Sequence, residues 1–142
     1  MFNLSTQLKV TIMAALLAWG TQALSSEIAI VIHGGAGTIL KEKMSRAIES
    51  DYRRVLRQSV EAGHRVLKSG GSSIDAVTGA IKIMENSPLF NAGHGAAFNY
   101  DGKVELDASI MTGDDLNAGA ATGIQTVRNP ILLALAILKN SP

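Results

Sequence analysis

The chain has 142 residues, a length typical of a single domain. Its 13 lysines and arginines nearly balance 12 acidic residues, and the net charge of +1 excludes the strongly basic surface of a protein whose main partner is nucleic acid. The absence of cysteine excludes disulfides, thiolate metal sites and a cysteine nucleophile, while 46% hydrophobic residues indicate a folded protein.

The first 25 residues have the pattern of a secretory signal peptide. Lys9 supplies a positive charge, residues 10–18 form an apolar core, and residues 19–26 are mostly small or polar. The apolar run is shorter than the roughly 20 residues that span a bilayer. We therefore predict export to the periplasm or the cell exterior and a mature form without a membrane segment. A first core helix is the alternative interpretation of residues 1–25.

The next segment predicts a strand, a turn and a helix. Residues 28–32 (IAIVI) are β-branched or apolar without alternation, which is typical of a strand buried on both faces. The glycine-rich residues 33–37 follow directly. Between residues 45 and 67, apolar side chains recur at spacings of three and four with charges opposite, which predicts an amphipathic helix that Gly70 and Gly71 end.

A second helix is predicted to begin at the capping box of Ser72 and Asp75 and to end at Pro88. Further along, Asp101 and Gly102 are a signal for a hairpin with a two-residue loop.

The carboxyl-terminal part predicts two strands and a helix. Residues 103–111 alternate polar and apolar, as in a strand with one dry and one wet face. Residues 117–127 predict a strand of small residues that lets another layer approach closely. Pro130 opens a helix that is apolar at nearly every position, so we expect more protein to cover it and further residues to follow those given.

Taken singly, the candidate chemical motifs are weak. The HGGAG turn at residues 33–37 lacks the lysine of a P-loop and the third glycine of a dinucleotide fingerprint. The three histidines are too scattered for a metal pair, and there is no Gly-x-Ser-x-Gly elbow. Glu105 and Asp107 share a strand face, but their alternation with apolar residues favours a solvated face over paired carboxylates.

Four motifs in fixed order are far more specific. They are IHGGAG at residues 32–37, SPLFNAGHGAAFN at 87–99, DGKVELDASIM at 101–111 and AGAATGIQTVRNPI at 118–131. Together they closely resemble the amino-terminal half of the plant-type L-asparaginase and isoaspartyl peptidase family. The resemblance covers essentially all of the chain from Ile28 onward.

The resemblance implies an α/β (α+β) fold, here an incomplete four-layer αββα sandwich of the N-terminal nucleophile hydrolases. Members cut themselves into an α and a β subunit and assemble as (αβ)2. The freed amino-terminal threonine of the β subunit is the nucleophile, its α-amine the general base, and no cofactor takes part in the chemistry. The substrates are β-aspartyl dipeptides and asparagine. Residues 26–142 are thus expected to be a partial α subunit whose partner is the β subunit of the same precursor.

The family's nucleophile lies in a Gly-Thr-Val-Gly type motif that this sequence lacks. Thr38 follows Gly37 but leads into Ile39, while Thr112 and Thr122 follow other residues. We therefore expect the chain alone to be catalytically inert.

The resemblance also assigns roles to a loop and a turn. In the family, main-chain carbonyls of this loop bind a structural sodium ion, which as a hard cation prefers oxygen ligands. The matching positions here are Met84, Glu85, Ser87, Phe90, Ala92 and His94. Asn91 matches an asparagine that points into the active site near the nucleophile, the alternative being that it only adopts a turn conformation.

His33, Gly34, Gly35 and Gly37 match a glycine-rich turn close to the self-cleavage site, and a simple tight turn at a strand end is the alternative. Two alternative functions remain at this point. A glycosylasparaginase-like amidase fits IHGGAG and SPLFNAGHG less well than the isoaspartyl branch does. A non-catalytic module that binds a metal or a partner would apply if the chain truly ends at Pro142.

Overall fold

The computed structural model describes residues 27–35 and 40–141. The predicted signal peptide and Gly37 lie outside these residues. The helices are α1 (Arg46–Lys68), α2 (Ser73–Glu85) and α3 (Pro130–Asn140), the strands are β1 (Leu106–Met111) and β2 (Ala118–Ile124), and short 3-10 turns occupy Lys41–Lys43 and Gly93–Gly95. In the described part of the chain, no helix has both the length and the apolar character needed to cross a membrane.

The two predicted amino-terminal helices are confirmed, and each begins at a serine cap. The Ser45 hydroxyl accepts a hydrogen bond from the Ile48 N–H at 3.2 Å and opens α1. Ser72 accepts from the Asp75 N–H at 3.0 Å, which is the first bond of the predicted capping box, while its hydroxyl rather than its backbone N–H donates to the Asp75 carboxylate, at 2.7 Å. Gly70 ends α1 with a positive φ of 82°, and α2 ends before Pro88.

Helices α1 and α2 pack closely because small residues line their contact. A Cβ on Gly63 would lie only 2.9 Å from the Ala76 carbonyl oxygen, so a larger residue would push the helices apart. The buried Ser59 hydroxyl donates to the Ala80 carbonyl at 2.8 Å. A first core cluster forms beside this contact from Val55, Met84 and Phe90, with Ile32, Tyr52, Leu56, Ile81, Ile83 and Leu89 packed around it.

Strands β1 and β2 form an antiparallel sheet, with α3 packed on one face. The predicted alternation is confirmed, since Leu106 and Ile110 are buried while Glu105 and Ser109 are exposed. The predicted close approach is also confirmed: a Cβ on Gly119 would overlap the Ala134 carbonyl of α3. The second core cluster consists of Ile110, Ile131 and Ala134, with Ile74, Val77, Ile81, Ala108, Leu135 and Leu138 packed around it.

The hairpin before β1 differs from its prediction. The Asn99 N–H donates to the Lys103 carbonyl at 2.8 Å and Gly102, with φ of 71°, donates to Asn99, so the loop has three residues instead of two. The Asn99 side chain fixes this loop by accepting from Asp101 and Lys103. The first arm makes only an isolated bridge, between Phe98 and Val104.

Residues 28–32 were predicted as a strand buried on both faces, and that prediction is wrong for the described structure. Val31 is 91% exposed and no strand is assigned to residues 27–35. Ile32 packs into the first core, and the Ile30 side chain abuts Gly63, so only one side of the segment is covered. The reason is that no strand among the described residues lies beside the segment to pair with its backbone.

Helix α3 is covered mainly on its inner face. Ile131 and Ala134 are almost fully buried, whereas Leu132 on the outer side is 39% exposed. The mixture of helices and a two-stranded antiparallel sheet confirms the predicted α/β (α+β) class.

Candidate functional site

Residues 86–97, which we call the glycine loop, connect α2 to the hairpin and contain most of the predicted site. Main-chain hydrogen bonds fold the loop tightly. The Ser87 N–H donates to the Met84 carbonyl at 3.0 Å, and the Ala92 N–H donates to the Phe90 carbonyl at 2.7 Å. The Gly95 N–H donates to the Ala92 carbonyl at 3.1 Å and closes the 3-10 turn. The loop therefore curls back onto the last turn of α2.

Two glycines make this curl possible because carbonyl oxygens press against their Cα atoms. Gly93 has a positive φ of 51°, and a Cβ there would overlap the Glu85 carbonyl oxygen. A Cβ on Gly95 would overlap the Phe90 carbonyl oxygen and lie 2.8 Å from that of Pro88. Carbonyl oxygens from the helix end and from the loop are thus crowded into one small region.

The six predicted sodium-binding positions lie between the last turn of α2 and the 3-10 turn, and of their carbonyl oxygens those of Glu85 and Phe90 lie against the two glycines. Met84 and Glu85 form the end of α2, Ser87 and Phe90 lie in the loop, and Ala92 and His94 belong to or flank the 3-10 turn. Among residues 27–35 and 40–141, no group of three or more His, Asp or Glu side chains is arranged to hold a metal ion.

Asn91 lies at the surface of the glycine loop. Its Oδ1 accepts a hydrogen bond from the Ala97 N–H at 2.8 Å, which ties the middle of the loop to its end. This bond gives the Asn91 side chain a part in the fold of the loop itself. Among the residues that the structure describes, the bond uses the oxygen of the side-chain amide alone.

The glycine-rich turn and the glycine loop meet in space, although 56 positions separate Gly34 from Phe90. A Cβ on Gly34 would lie 2.6 Å from the Phe90 ring and 2.8 Å from a Leu56 methyl group. The Phe90 ring is fixed by an edge-to-face contact with Tyr52, with ring centroids 5.6 Å apart. His33 is exposed beside this contact. Gly34 and Phe90, which belong to two separate motifs, therefore lie against each other.

The Glu85 side chain is a feature that sequence reasoning missed. It is 3% exposed, and its carboxylate accepts from the Ile131 N–H and from the Asn129 Nδ2, each at 3.0 Å. Burial raises the pKa of Glu85 above its ordinary value, while these two hydrogen bonds oppose the rise. The one local signal was the Asn-Pro pair that opens α3, which marks a helix start but does not indicate that Asn129 has a partner 44 positions away.

Comparisons with known proteins agree with the motifs. The model of the Asparaginase family matches residues 26–142. The isoaspartyl peptidases of Salmonella typhimurium and Escherichia coli are each 46% identical over 113 residues, which is 80% of this chain and 36% and 35% of theirs. A plant-type L-asparaginase of Pyrococcus furiosus is 48% identical over 115 residues, 80% of this chain and 36% of its own length. The chain thus spans about a third of the length of these relatives.

Proposed function

Because the chain belongs to the asparaginase family, we propose that it is the amino-terminal part of a hydrolase that cleaves β-aspartyl dipeptides and the side-chain amide of asparagine. The printed names of its relatives, isoaspartyl peptidase and plant-type L-asparaginase, support this pair of substrates. The contact between Gly34 and Phe90 is the structural observation that carries the proposal. It joins the two motifs to which the resemblance assigns processing and ion binding.

In this proposal the catalytic threonine comes from a β subunit of the same precursor, and residues 26–142 supply the α portion of an (αβ)2 assembly. The threonine hydroxyl attacks the amide carbonyl while its own α-amine takes the proton. The tetrahedral intermediate then collapses, the C–N bond breaks, and the α-amine returns its proton to the departing ammonia or amino acid, which leaves an ester on the threonine. Water hydrolyses this acyl-enzyme and releases aspartate. Donors aimed at the developing oxyanion lower the barrier of each step. The α portion contributes by holding the groups around the nucleophile in place.

The second part of the proposal is that the glycine loop binds a structural sodium ion. The main-chain oxygens of Met84, Glu85, Ser87, Phe90, Ala92 and His94 would hold it. The ion, when bound, supplies a positive charge that offsets the repulsion between crowded carbonyl dipoles and takes no part in bond making or breaking. A loop fixed in this way holds Asn91, which we propose to face the nucleophile, in a single position.

The experiment is to express the complete gene product and to follow its cleavage and activity. We expect a denaturing gel to show two chains and the processed protein to release aspartate from a β-aspartyl dipeptide and ammonia from asparagine. The matched control is the precursor whose nucleophilic threonine is replaced by alanine, which should remain uncut. A folded, soluble product that stays whole and hydrolyses neither substrate would contradict the proposal.

The same assay separates the alternative functions. Preferential cleavage of a glycosylated asparagine would indicate a glycosylasparaginase. A stable product that binds a metal or a protein without hydrolysis would indicate a binding module.

Export is a further part of the proposal, since residues 1–25 have the charge, apolar core and small residues of a signal peptide. We expect the mature protein in the periplasm or outside the cell. Cell fractionation followed by amino-terminal sequencing of the mature chain tests this, and an intact Met1 on active cytosolic protein would contradict it.

A further inference from the structure

We infer that the side chain of Glu85 is a positioning group for the glycine loop and sets how tightly the loop binds a monovalent cation. The inference rests on the proposed sodium role of the loop. It concerns the carboxylate of a residue whose main-chain oxygen alone is assigned to the ion. The carboxylate is directed away from the loop, towards α3.

The two ends of Glu85 contact different parts of the molecule. Its carbonyl oxygen faces the loop and presses against Gly93. Its carboxylate reaches the start of α3, where Oε1 accepts from the Ile131 N–H and Oε2 accepts from the Asn129 Nδ2. A single residue thereby connects the crowded carbonyls to a helix that lies 46 positions further along the chain.

The environment of this carboxylate favours a positional role over a contribution to stability. A buried carboxylate is costly to desolvate, and a neutral side chain of the same shape avoids that cost. In the part of the chain that the structure describes, no basic side chain forms an ion pair with Glu85. Its partners are two neutral N–H groups at fixed positions, which give direction to the hydrogen bonds.

The start of α3, which donates hydrogen bonds to Glu85, is held in place by packing. Ile131, which donates to the carboxylate, is only 2% exposed and belongs to the second core cluster, so the start of α3 is held by packing. The Asn129 amide also lies 3.3 Å from the Asn86 Oδ1, which anchors the next residue of the chain to the same point. The last turn of α2 is therefore fixed from outside the loop, and with it the carbonyls of Met84 and Glu85.

Groups that orient metal ligands through hydrogen bonds commonly change metal affinity about 10-fold to 100-fold when they are replaced. Glu85→Gln keeps the shape of the side chain and one acceptor but loses the charge and the second acceptor. We expect it to raise the sodium concentration needed for binding about tenfold. Glu61→Gln is the matched control, because Glu61 is an exposed glutamate of α1.

The test titrates NaCl into the complete gene product and measures the melting temperature, with choline chloride keeping the ionic strength constant. The readout is the sodium concentration that gives half of the maximal rise in Tm, since a ligand that binds only the folded state raises Tm by mass action. A merely structural role of Glu85 would lower the starting Tm and leave this concentration unchanged. We expect about a tenfold shift for Glu85→Gln and none for Glu61→Gln.

A second variant keeps the test decisive if Glu85→Gln does not fold. Asn129→Ser retains a residue suited to a helix start and removes the donor to Oε2, so it should also shift the midpoint, by a smaller factor. Normal sodium binding by a folded Glu85→Gln protein, or by Asn129→Ser where Glu85→Gln does not fold, would overturn the inference while the sodium proposal stands. If sodium does not change the Tm of the wild-type protein, both the inference and the sodium proposal are overturned.

Discussion

Residues 27–35 and strand β1 both lie along helices and both place alternate apolar side chains against them, yet their backbones are satisfied differently. β1 pairs with β2 from Leu106 to Met111, and α3 covers one face of the pair. Residues 27–35 have no strand beside them in the described structure, and Val31 is almost fully exposed. β-branched residues alone therefore do not make a strand, because the backbone hydrogen bonds of a strand need a neighbouring strand.

The first pair of variants tests burial in the two regions, and one of them should give the largest change in the free energy of unfolding. Ile110 is 6% exposed in the second core, so Ile110→Ala should lower the free energy of unfolding by about 3 kcal/mol. Val31→Ala makes a similar truncation on an exposed residue and should change it by less than about 0.5 kcal/mol. Urea unfolding of the complete gene product measures both. A loss above about 2 kcal/mol for Val31→Ala would mean that another strand covers the segment there.

A second pair of variants tests the contact between the sheet and α3 and should change the free energy of unfolding by a smaller amount. Gly119→Ala places a methyl group against the Ala134 carbonyl, a backbone atom that cannot turn aside, so we expect a loss of about 2 kcal/mol. Gly79→Ala is the matched control, because Gly79 lies in α2 with open space around it. It should stabilise the protein by about 0.5 to 1 kcal/mol. Equal losses in the two variants would show that α3 is not seated on Gly119.

Gly34→Ala tests how residues 27–35 are held against the glycine loop. The added methyl group meets the edge of the Phe90 ring and a Leu56 methyl, which can shift, so the expected loss is about 1 kcal/mol. If the turn also serves processing, the rate of self-cleavage on a gel time course should fall as well. Gly113→Ala, in open surroundings between the strands, is the control. Unchanged cleavage kinetics in Gly34→Ala would remove the processing role.

The smallest effect concerns Asp107, where the pairing of β1 with β2 shifts register between Leu106 and Ala108. Asp107 accepts from the Thr122 hydroxyl and from the Gly123 N–H, and these bonds lower the pKa of Asp107 below its ordinary value of 3.8. Because the pKa of Asp107 is lower in the folded state than in the unfolded chain, the ionised carboxylate stabilises the fold at pH values above the unfolded pKa. This stabilisation is lost as pH falls through the folded pKa.

Wild type should therefore exceed Asp107→Asn in unfolding free energy at about pH 6, and the difference should shrink towards about pH 2 in urea titrations. Asp101→Asn in the hairpin loop is the matched control for the loss of one negative charge. A difference that does not depend on pH would contradict the assignment.

The site shows the same division between local and distant interactions. The motif around residues 87–99 allowed the glycine loop and its carbonyl positions to be named from the sequence. The Glu85 carboxylate and its bonds to Asn129 and Ile131 could not be predicted, because they join residues more than 40 positions apart. The contact of Gly34 with Phe90 could not be predicted either, because 56 positions separate the two residues. The exposure of Val31 likewise depends on whether a distant strand lies beside it.

Local sequence patterns were sufficient to predict the two amino-terminal helices, the alternation of β1, the close approach at β2 and the proline that opens α3, and four ordered motifs were sufficient to predict the family. Each of these depends on neighbours a few positions apart, where spacing and residue type carry the information. Three features were visible only in the tertiary structure: the three-residue hairpin loop, the burial of residues 27–35 on one side alone, and the hydrogen bonds between Glu85 and the start of α3. These depend on which distant backbone groups find partners, and the free energy of those contacts is set by packing that no local pattern encodes.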